Sequence, residues 1–354
     1  MQFATFQVVL AALAVAVFGL PAVQTTSDRG ALIWEGKNGT WIENIAVRSN
    51  GKLIVTLVNE PAVWEVDPIL KSANLVYTFP NANVTLGIAE VEHDVFAVNV
   101  GNFSIPGKGV LGSWSIWTLD YRRHRSADWS DATSKPYSSI PLAKRVAALP
   151  DAQFLNGLTA LDSEPGTVLS ADSFRGLVYA VNTHTGVYSI AIDEPAFKPN
   201  ASSAITLGIN GIHLRNDVLY FTNSLRTPLL GKISLSTNGS ASSPVQIVAR
   251  TPDYPLDADL FQVDDFAIDA AGCNAWIVTN PSGVVVKIDL ATGQQKIVAG
   301  ALTDPTFAGA TSAAFGRTRA DRDILYVVTD GGAVDPAAAG LKGGAVVALD
   351  TAGL

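Results

Sequence analysis

Glu43-Asn-Ile-Ala-Val, Asn156-Gly-Leu-Thr-Ala, Asn210-Gly-Ile-His-Leu and Asp264-Asp-Phe-Ala-Ile follow one pattern. Each opens on a side chain bearing a carboxyl or carboxamide oxygen, turns, and runs into an alternating apolar strand. A second polar residue follows 13 to 16 residues later, at Asn59, Asp172, Asn223 and Asn280. That spacing is a strand, a turn and a strand back, so both polar positions return to one edge of a hairpin. Two fainter units extend the series. Leu86-Gly-Ile-Ala-Glu-Val leads to Asn99, and Thr311-Ser-Ala-Ala-Phe leads to Asp330. The starts at 43, 86, 156, 210, 264 and 311 are spaced by 43 to 70 residues. Repeats of about 40 to 50 residues made of short strands mark propeller blades. Radial packing of such units brings their polar starts to one mouth.

Working outward, strands dominate. Leu53-Ile-Val-Thr-Leu, Val95-Phe-Ala-Val-Asn-Val, Val218-Leu-Tyr-Phe-Thr, Ala275-Trp-Ile-Val-Thr and Ile324-Leu-Tyr-Val-Val-Thr are rich in β-branched and aromatic residues. Gly, Asn and Asp turns bound them, and no helical periodicity competes. The fold class is all-β, a six-bladed β-propeller over residues 23–354. A stack of β-sandwiches is the alternative, but it does not explain the matched polar starts. The longest interval holds an insertion at 102–149, where Pro106-Gly-Lys-Gly and the polar run from Arg122 to Pro136 break the strand pattern. Such a segment is either a lid over the mouth or a decorated edge.

The 354 residues are 48% hydrophobic and carry a net charge of −8. That size supports one large core, and the acidic balance argues against nucleic acid as a partner. Residues 8–20 form an unbroken apolar run before Pro21-Ala22, which reads as a secretory signal over residues 1–22, although Lys and Arg are missing ahead of it. The expectation is a secreted or secretory-lumen protein, with no membrane attachment after signal removal. Five Asn-x-Ser/Thr triplets, at Asn38, Asn83, Asn102, Asn200 and Asn238, are candidate glycosylation sites. Cys273 is the lone cysteine, which excludes an intrachain disulfide.

Several chemistries are absent. No Gly-x-Ser-x-Gly is present, the histidines (93, 124, 184 and 213) are scattered, and nothing clusters His or Cys as zinc requires. An oxygen-rich mouth remains. Glu43, Asn156, Asn210 and Asp264 supply two carboxylates and two amides, half of a calcium shell. The competing reading is that Asn and Asp serve turn geometry alone.

These residues and their order resemble the senescence-marker-protein and gluconolactonase group of six-bladed propellers, over nearly the whole mature chain. The resemblance implies a divalent metal held by Glu43, Asn156, Asn210 and Asp264. Asp265 departs from it, standing where a glycine usually follows the Asp. Thr40-Trp-Ile-Glu-Asn-Ile-Ala-Val, Glu90-Val-Glu-His-Asp-Val-Phe, Gly112-Ser-Trp-Ser-Ile-Trp and Gly309-Ala-Thr-Ser-Ala-Ala-Phe-Gly-Arg carry a closer likeness. They resemble a secreted fungal branch that contains hetero-Diels–Alderases of tropolone–sesquiterpenoid pathways.

Three functions follow. The leading one is a secondary-metabolite enzyme that assists dehydration of a tropolone precursor to a quinone methide and then its [4+2] cycloaddition with a sesquiterpene alkene. It needs no cofactor and takes a small hydrophobic metabolite. Asp264, Asp265 and His213 are its candidate acid–base residues, and Trp114, Trp117, Phe266, Asn223 and Asp172 its candidate substrate contacts. The second is a lactonase using Ca2+. The third is a non-catalytic metabolite-binding propeller.

Overall fold

The computed structural model describes residues 29–104, 108–122, 141–200, 207–225, 230–250, 262–301, 304–334 and 342–354. The expected signal segment lies outside them. Six four-stranded antiparallel sheets are present among the described residues; four are built from consecutive strands, the second is interrupted by a small ribbon, and the last takes a strand from the start of the described chain. The innermost strands, in ring order, are Ile42–Val47, Val84–Glu92, Leu155–Ala160, Ile209–Arg215, Val263–Ile268 and Ala310–Phe315. We number the blades one to six in that order.

The sixth blade closes the ring. Its third strand, Ala345–Asp350, pairs antiparallel with Gly30–Glu35 from the start of the described chain, which becomes the outermost strand. Both ends of the propeller are thereby held in one sheet. Because no edge is left between the first and last units, the ring needs no covalent staple.

Burial follows distance from the axis. In the third blade, Leu155–Ala160 and Thr167–Asp172 are buried almost throughout, whereas the outermost strand, Tyr188–Ile192, is largely open. Inner strands are covered by neighbouring blades on both faces, so their apolar runs are nearly continuous rather than alternating. The core is accordingly a ring of six clusters, one between each pair of adjacent blades. Phe79, Phe96 and Leu119 fill the wedge between blades one and two. Phe197 and Phe221 meet edge-on at 4.7 Å between blades three and four.

Blade two revises the expected insertion. Within 102–149, Ser115–Asp120 and Leu142–Ala148 are its regular third and fourth strands. A small ribbon pairs Phe103–Ser104 with Lys108–Gly109 at the mouth edge. Residues 123–140 lie outside the described set. The strands flanking them pair Asp120 with Leu142, and Tyr121 N donates to Asp94 O in the turn farthest from the mouth. The described strand ends on either side of 123–140 thus lie at the end of the blade opposite the mouth.

Candidate functional site

Each innermost strand carries a register irregularity near its start. Pairing skips between Ile42 and Asn44, Thr85 and Ile88, Leu155 and Leu158, Ile209 and Ile212, Val263 and Phe266, and Ala310 and Ser312. The skipped residues include Glu43, Leu86, Asn156, Asn210, Asp264 and Thr311, the positions that define the sequence repeat. A bulge releases one residue from the ladder and re-aims its side chain. The repeated unit is thus a bulge, and in every blade but the second it releases a polar side chain from the ladder.

The bulges also bring neighbouring strands close. A Cβ on Gly87 would lie 2.1 Å from Asn156 O, and one on Gly157 would lie 2.3 Å from Asn210 O. Glycine permits both contacts because it has no side chain. Gly211 repeats the arrangement against Asp265, whose Oδ1 would sit 2.1 Å from an added Cβ. Blades two to four thus present glycine at this level, whereas blades five, six and one present Asp265, Ser312 and Asn44.

Those three side chains form the floor of the mouth. Asp265 Oδ2 accepts from Asn44 Nδ2 at 2.9 Å and from Ser312 Oγ at 3.0 Å. Its Oδ1 accepts from Phe266 N at 2.8 Å and lies 3.1 Å from His213 Nε2. Asn44 Oδ1 accepts from Ile45 N at 2.9 Å. Residues from blades one, four, five and six are tied together around one buried carboxylate. His213 stands two residues deeper along its strand than Gly211, with its ring edge-on to Phe266 at 4.6 Å and a third of its side chain exposed.

Above this floor stand the acids. Glu43 is buried, and its Oε2 accepts from Trp41 Nε1 at 2.9 Å. Asp264 is partly open and accepts from Asn210 Nδ2 at 2.8 Å, a group that also donates to Ser224 Oγ. Asp330 enters from blade six, accepting from Asn280 Nδ2 at 3.1 Å and from Gly332 N at 2.7 Å. Burial is the main reason all three hold protons more tightly than usual. Glu43 is pushed up to about 8, with Asp330 and Asp265 adding repulsion against the Trp41 hydrogen bond. Asp264 is raised well above the ordinary range by burial, then by Glu43 and Asp265. Asp330 rises to about 6 despite its hydrogen bonds to Asn280 and to backbone N–H groups.

Two carboxylates and two carboxamides suit a hard divalent cation chemically. The Asn156 carboxamide is buried and makes no hydrogen bond to a described residue, so its oxygen is available. Among the described residues, no three acid, imidazole or thiol groups gather as a metal cluster by themselves. A cation at the mouth therefore depends on the amides of Asn156 and Asn210 as much as on Glu43 and Asp264.

The other predicted contacts lie elsewhere. Asp172 braces backbone, accepting from Gln153 N at 2.8 Å and from Phe154 N and Arg175 N, both at 3.1 Å. Asn223 donates to Ala196 O and Lys198 O and so holds the short 3-10 turn Pro195–Phe197. Asn59 secures Trp41 N and Gly39 O. Trp114 and Phe266 are fully buried and offer no face to a ligand. Trp117 packs on Phe79 and Tyr77 away from the inner strands. The second polar residue of most units thus serves the loop, because a hairpin end needs its backbone groups paired. Of the sequons, Asn38, Asn83 and Asn238 are exposed, whereas Asn102 and Asn200 are half-buried. Sequence reasoning missed Trp41, Asn44 and Ser312, which brace the acids; the bulge positions were the signal that leads to them.

No family model matches the chain. In sequence it is 27% identical over 332 residues to a Phoma sp protein named "Putative hetero-Diels-Alderase", covering 87% of this chain and 88% of that one. It is 28% identical over 318 residues to a Sarocladium schorii protein of the same description, asR5, covering 82% of this chain and 75% of the other. In structure it resembles regucalcin, a calcium-binding protein from Agrobacterium tumefaciens, with a TM-score of 0.59 and 14% identity over 90% of this chain and 92% of that one. The chain is a six-bladed propeller of the regucalcin type in fold, and in sequence a relative, over most of its length, of proteins named as hetero-Diels–Alderases.

Proposed function

We propose that the chain is a secreted enzyme of the hetero-Diels–Alderase type. The reading is that it dehydrates a hydroxymethyl tropolone to a quinone methide and guides its cycloaddition with a cyclic sesquiterpene alkene. The observation that carries this reading is that Glu43 and Asp264 both start inner strands at one mouth, where burial makes each hold its proton more tightly than an ordinary carboxyl. A carboxyl whose proton is held this way serves as a donor, and an ionised carboxyl at the same mouth serves as the acceptor.

The dehydration uses both. The protonated member gives its proton to the hydroxymethyl oxygen as the C–O bond breaks and water leaves. The ionised member takes the proton of the ring hydroxyl, and the ring rearranges to the neutral quinone methide. The pair ends with one proton, as it began. General acid–base assistance of this kind contributes roughly 100-fold or more. The cycloaddition then forms one C–C and one C–O bond with no proton transfer. Its acceleration comes from holding diene and alkene in near-attack geometry, worth about 7–11 kcal/mol at best.

The test is incubation with a hydroxymethyl tropolone and a cyclic sesquiterpene triene, with chelator present. A single adduct enantiomer is expected, and Asp264→Asn should slow its formation by roughly 100-fold. Racemic adduct at the uncatalysed rate would sink the proposal.

One observation favours a second reading. Glu43, Asn156, Asn210 and Asp264 all start inner strands at one mouth, in a fold shared with a calcium-binding propeller. If these four hold Ca2+, the ion supplies Lewis-acid polarisation of a lactone carbonyl. In that reading Asp264 moves a proton at the mouth. Lactone hydrolysis that disappears on chelation would favour this reading over the first.

A further inference from the structure

The mouth is chemically lopsided. Glu43, Asp264, Asp265 and Asp330 stand on blades one, five and six, whereas the buried acid of blade three, Asp172, is taken up by backbone N–H groups. On the opposite side, blades two and three bring phenylalanines to the same edge. Phe154 immediately precedes the inner strand Leu155–Ala160, Phe174 follows the second strand Thr167–Asp172, and Phe103 follows the second strand Val95–Gly101. Inner strands begin at the mouth and second strands return to it, so all three rings belong to that face.

The rings form one continuous surface. Phe154 and Phe174 stack at 4.7 Å with planes 18° apart. Phe103 lies 4.8 Å from Phe154 and 6.3 Å from Phe174. Trp114, fully buried, backs Phe154 edge-on at 5.6 Å. Val58 and Leu207, at the mouth ends of blades one and four, pack against the same cluster. Phe103, Phe174, Val58 and Leu207 are each only half-buried. An apolar ledge is left facing water where polar loops would be expected.

Polar groups hold this ledge rigid. Asn83 clamps the Phe103 backbone from both sides, accepting from its N at 2.8 Å and donating to its O at 2.9 Å. Asp172 accepts from the N–H groups of Phe154 and Arg175, and so fixes the chain at Phe154 and just beyond Phe174. Gly109 crosses so near Gln153 that a Cβ would fall 1.5 Å from its carbonyl oxygen. Asn156 lies two residues past Phe154, which joins the ledge to the polar ring of the channel.

We propose that the Phe103–Phe154–Phe174 ledge is the subsite for an uncharged cyclic hydrocarbon, the alkene partner of the reaction, held across the mouth from Glu43 and Asp264. This deepens the reaction proposed above and rests on it for the identity of the occupant. Aromatic faces set in place before binding suit a hydrocarbon, which offers dispersion contacts and hydrophobic burial but no hydrogen bonds. The acids opposite suit the polar ring. Such a division fixes which face of the alkene meets the diene.

The test is direct binding to the full chain. N-phenyl-1-naphthylamine serves as an uncharged fluorescent probe and a cyclic C15 triene as the competitor. Probe fluorescence should rise on binding and fall as the triene displaces it. Phe174→Ser and Phe103→Ser should each weaken triene binding about tenfold, equal to about 1.4 kcal/mol, while Phe174→Leu retains it. Glu43→Gln should change it less than about twofold, a difference under 0.5 kcal/mol. An unchanged melting profile separates lost binding from lost fold. Triene affinity indifferent to Phe103 and Phe174, or lost equally in Glu43→Gln, would overturn the ledge. The two proposals fail separately: triene bound at the ledge without adduct removes the reaction, and adduct formed without dependence on these rings removes the subsite.

Discussion

At the scale of residues, the main tension is a set of carboxyls at one mouth, Glu43, Asp264 and Asp330, for which no cationic side chain is an ion-pair partner among the described residues. Glu43, Asp264 and Asp330 all have raised proton affinity, chiefly through burial. A carboxyl whose folded value lies above its unfolded one stabilises the fold fully below the unfolded value and loses that contribution as pH rises through the folded one. For Glu43 that window runs from its usual 4.5 to about 8. In calcium-free buffer the thermal midpoint should therefore fall between pH 5 and pH 8, and Glu43→Gln should flatten the decline. The expected gain of the variant at pH 8 is on the order of 3 kcal/mol, read from denaturant unfolding at the two pH values. A variant with the same pH dependence as the parent would show that Glu43 is not the strained group. Asp265 is buried among partners: Asn44 Nδ2, Ser312 Oγ and Phe266 N donate to it, and His213 Nε2 lies 3.1 Å away. Asp265→Ala leaves those donors without their acceptor, and a stability loss of about 3 kcal/mol is expected in chemical denaturation.

At the scale of elements, the bulged inner strand explains why the repeat was readable. Glu43-Asn, Asn156-Gly, Asn210-Gly and Asp264-Asp recur because each bulge must release a polar side chain and let the next strand approach. Gly157→Ala places a methyl group about where Asn210 O now lies, 2.3 Å from the ideal Cβ. A loss of about 1–3 kcal/mol is expected, since backbone rather than a flexible side chain must move. Midpoints equal to the parent would mean that the ring tolerates wider spacing than this packing implies. The outer strands of blade two were harder to read. Leu142–Ala148 is an edge strand with two charged residues and four exposed positions, so its alternation is diluted. It gains its form from pairing with Ser115–Asp120, a non-local contact to which local sequence is blind.

At the scale of the whole molecule, closure is the feature on which the mouth depends. Removing residues through Glu35 strips the outer strand from blade six and bares the Ala345–Asp350 edge. The shortened chain should melt earlier and self-associate, as sedimentation would report, because an unpaired edge templates pairing with another chain. Calcium provides the other whole-molecule test. If the mouth takes a cation, the parent midpoint should rise with calcium concentration and Glu43→Gln should not respond, in keeping with binding to the folded state alone. An unresponsive parent would leave the mouth to the acid pair.

By itself, the sequence determined the all-β class, the six units and the polar start of each inner strand. These are set locally, by strand alternation and by the few residue types that suit a bulge or turn. Only the tertiary structure decided which of those polar residues face one another, and its choices were not those of the repeat. It sent Asp172 and Asn223 to brace loops, sealed Trp114 and Phe266 in the core, gathered Asp265, Asn44 and Ser312 into a floor, and set phenylalanines opposite the acids. The physical reason is that burial and facing across the axis depend on how six blades pack around a common centre, and residues more than 200 positions apart, such as Asn44 and Asp265, meet only when that ring is closed.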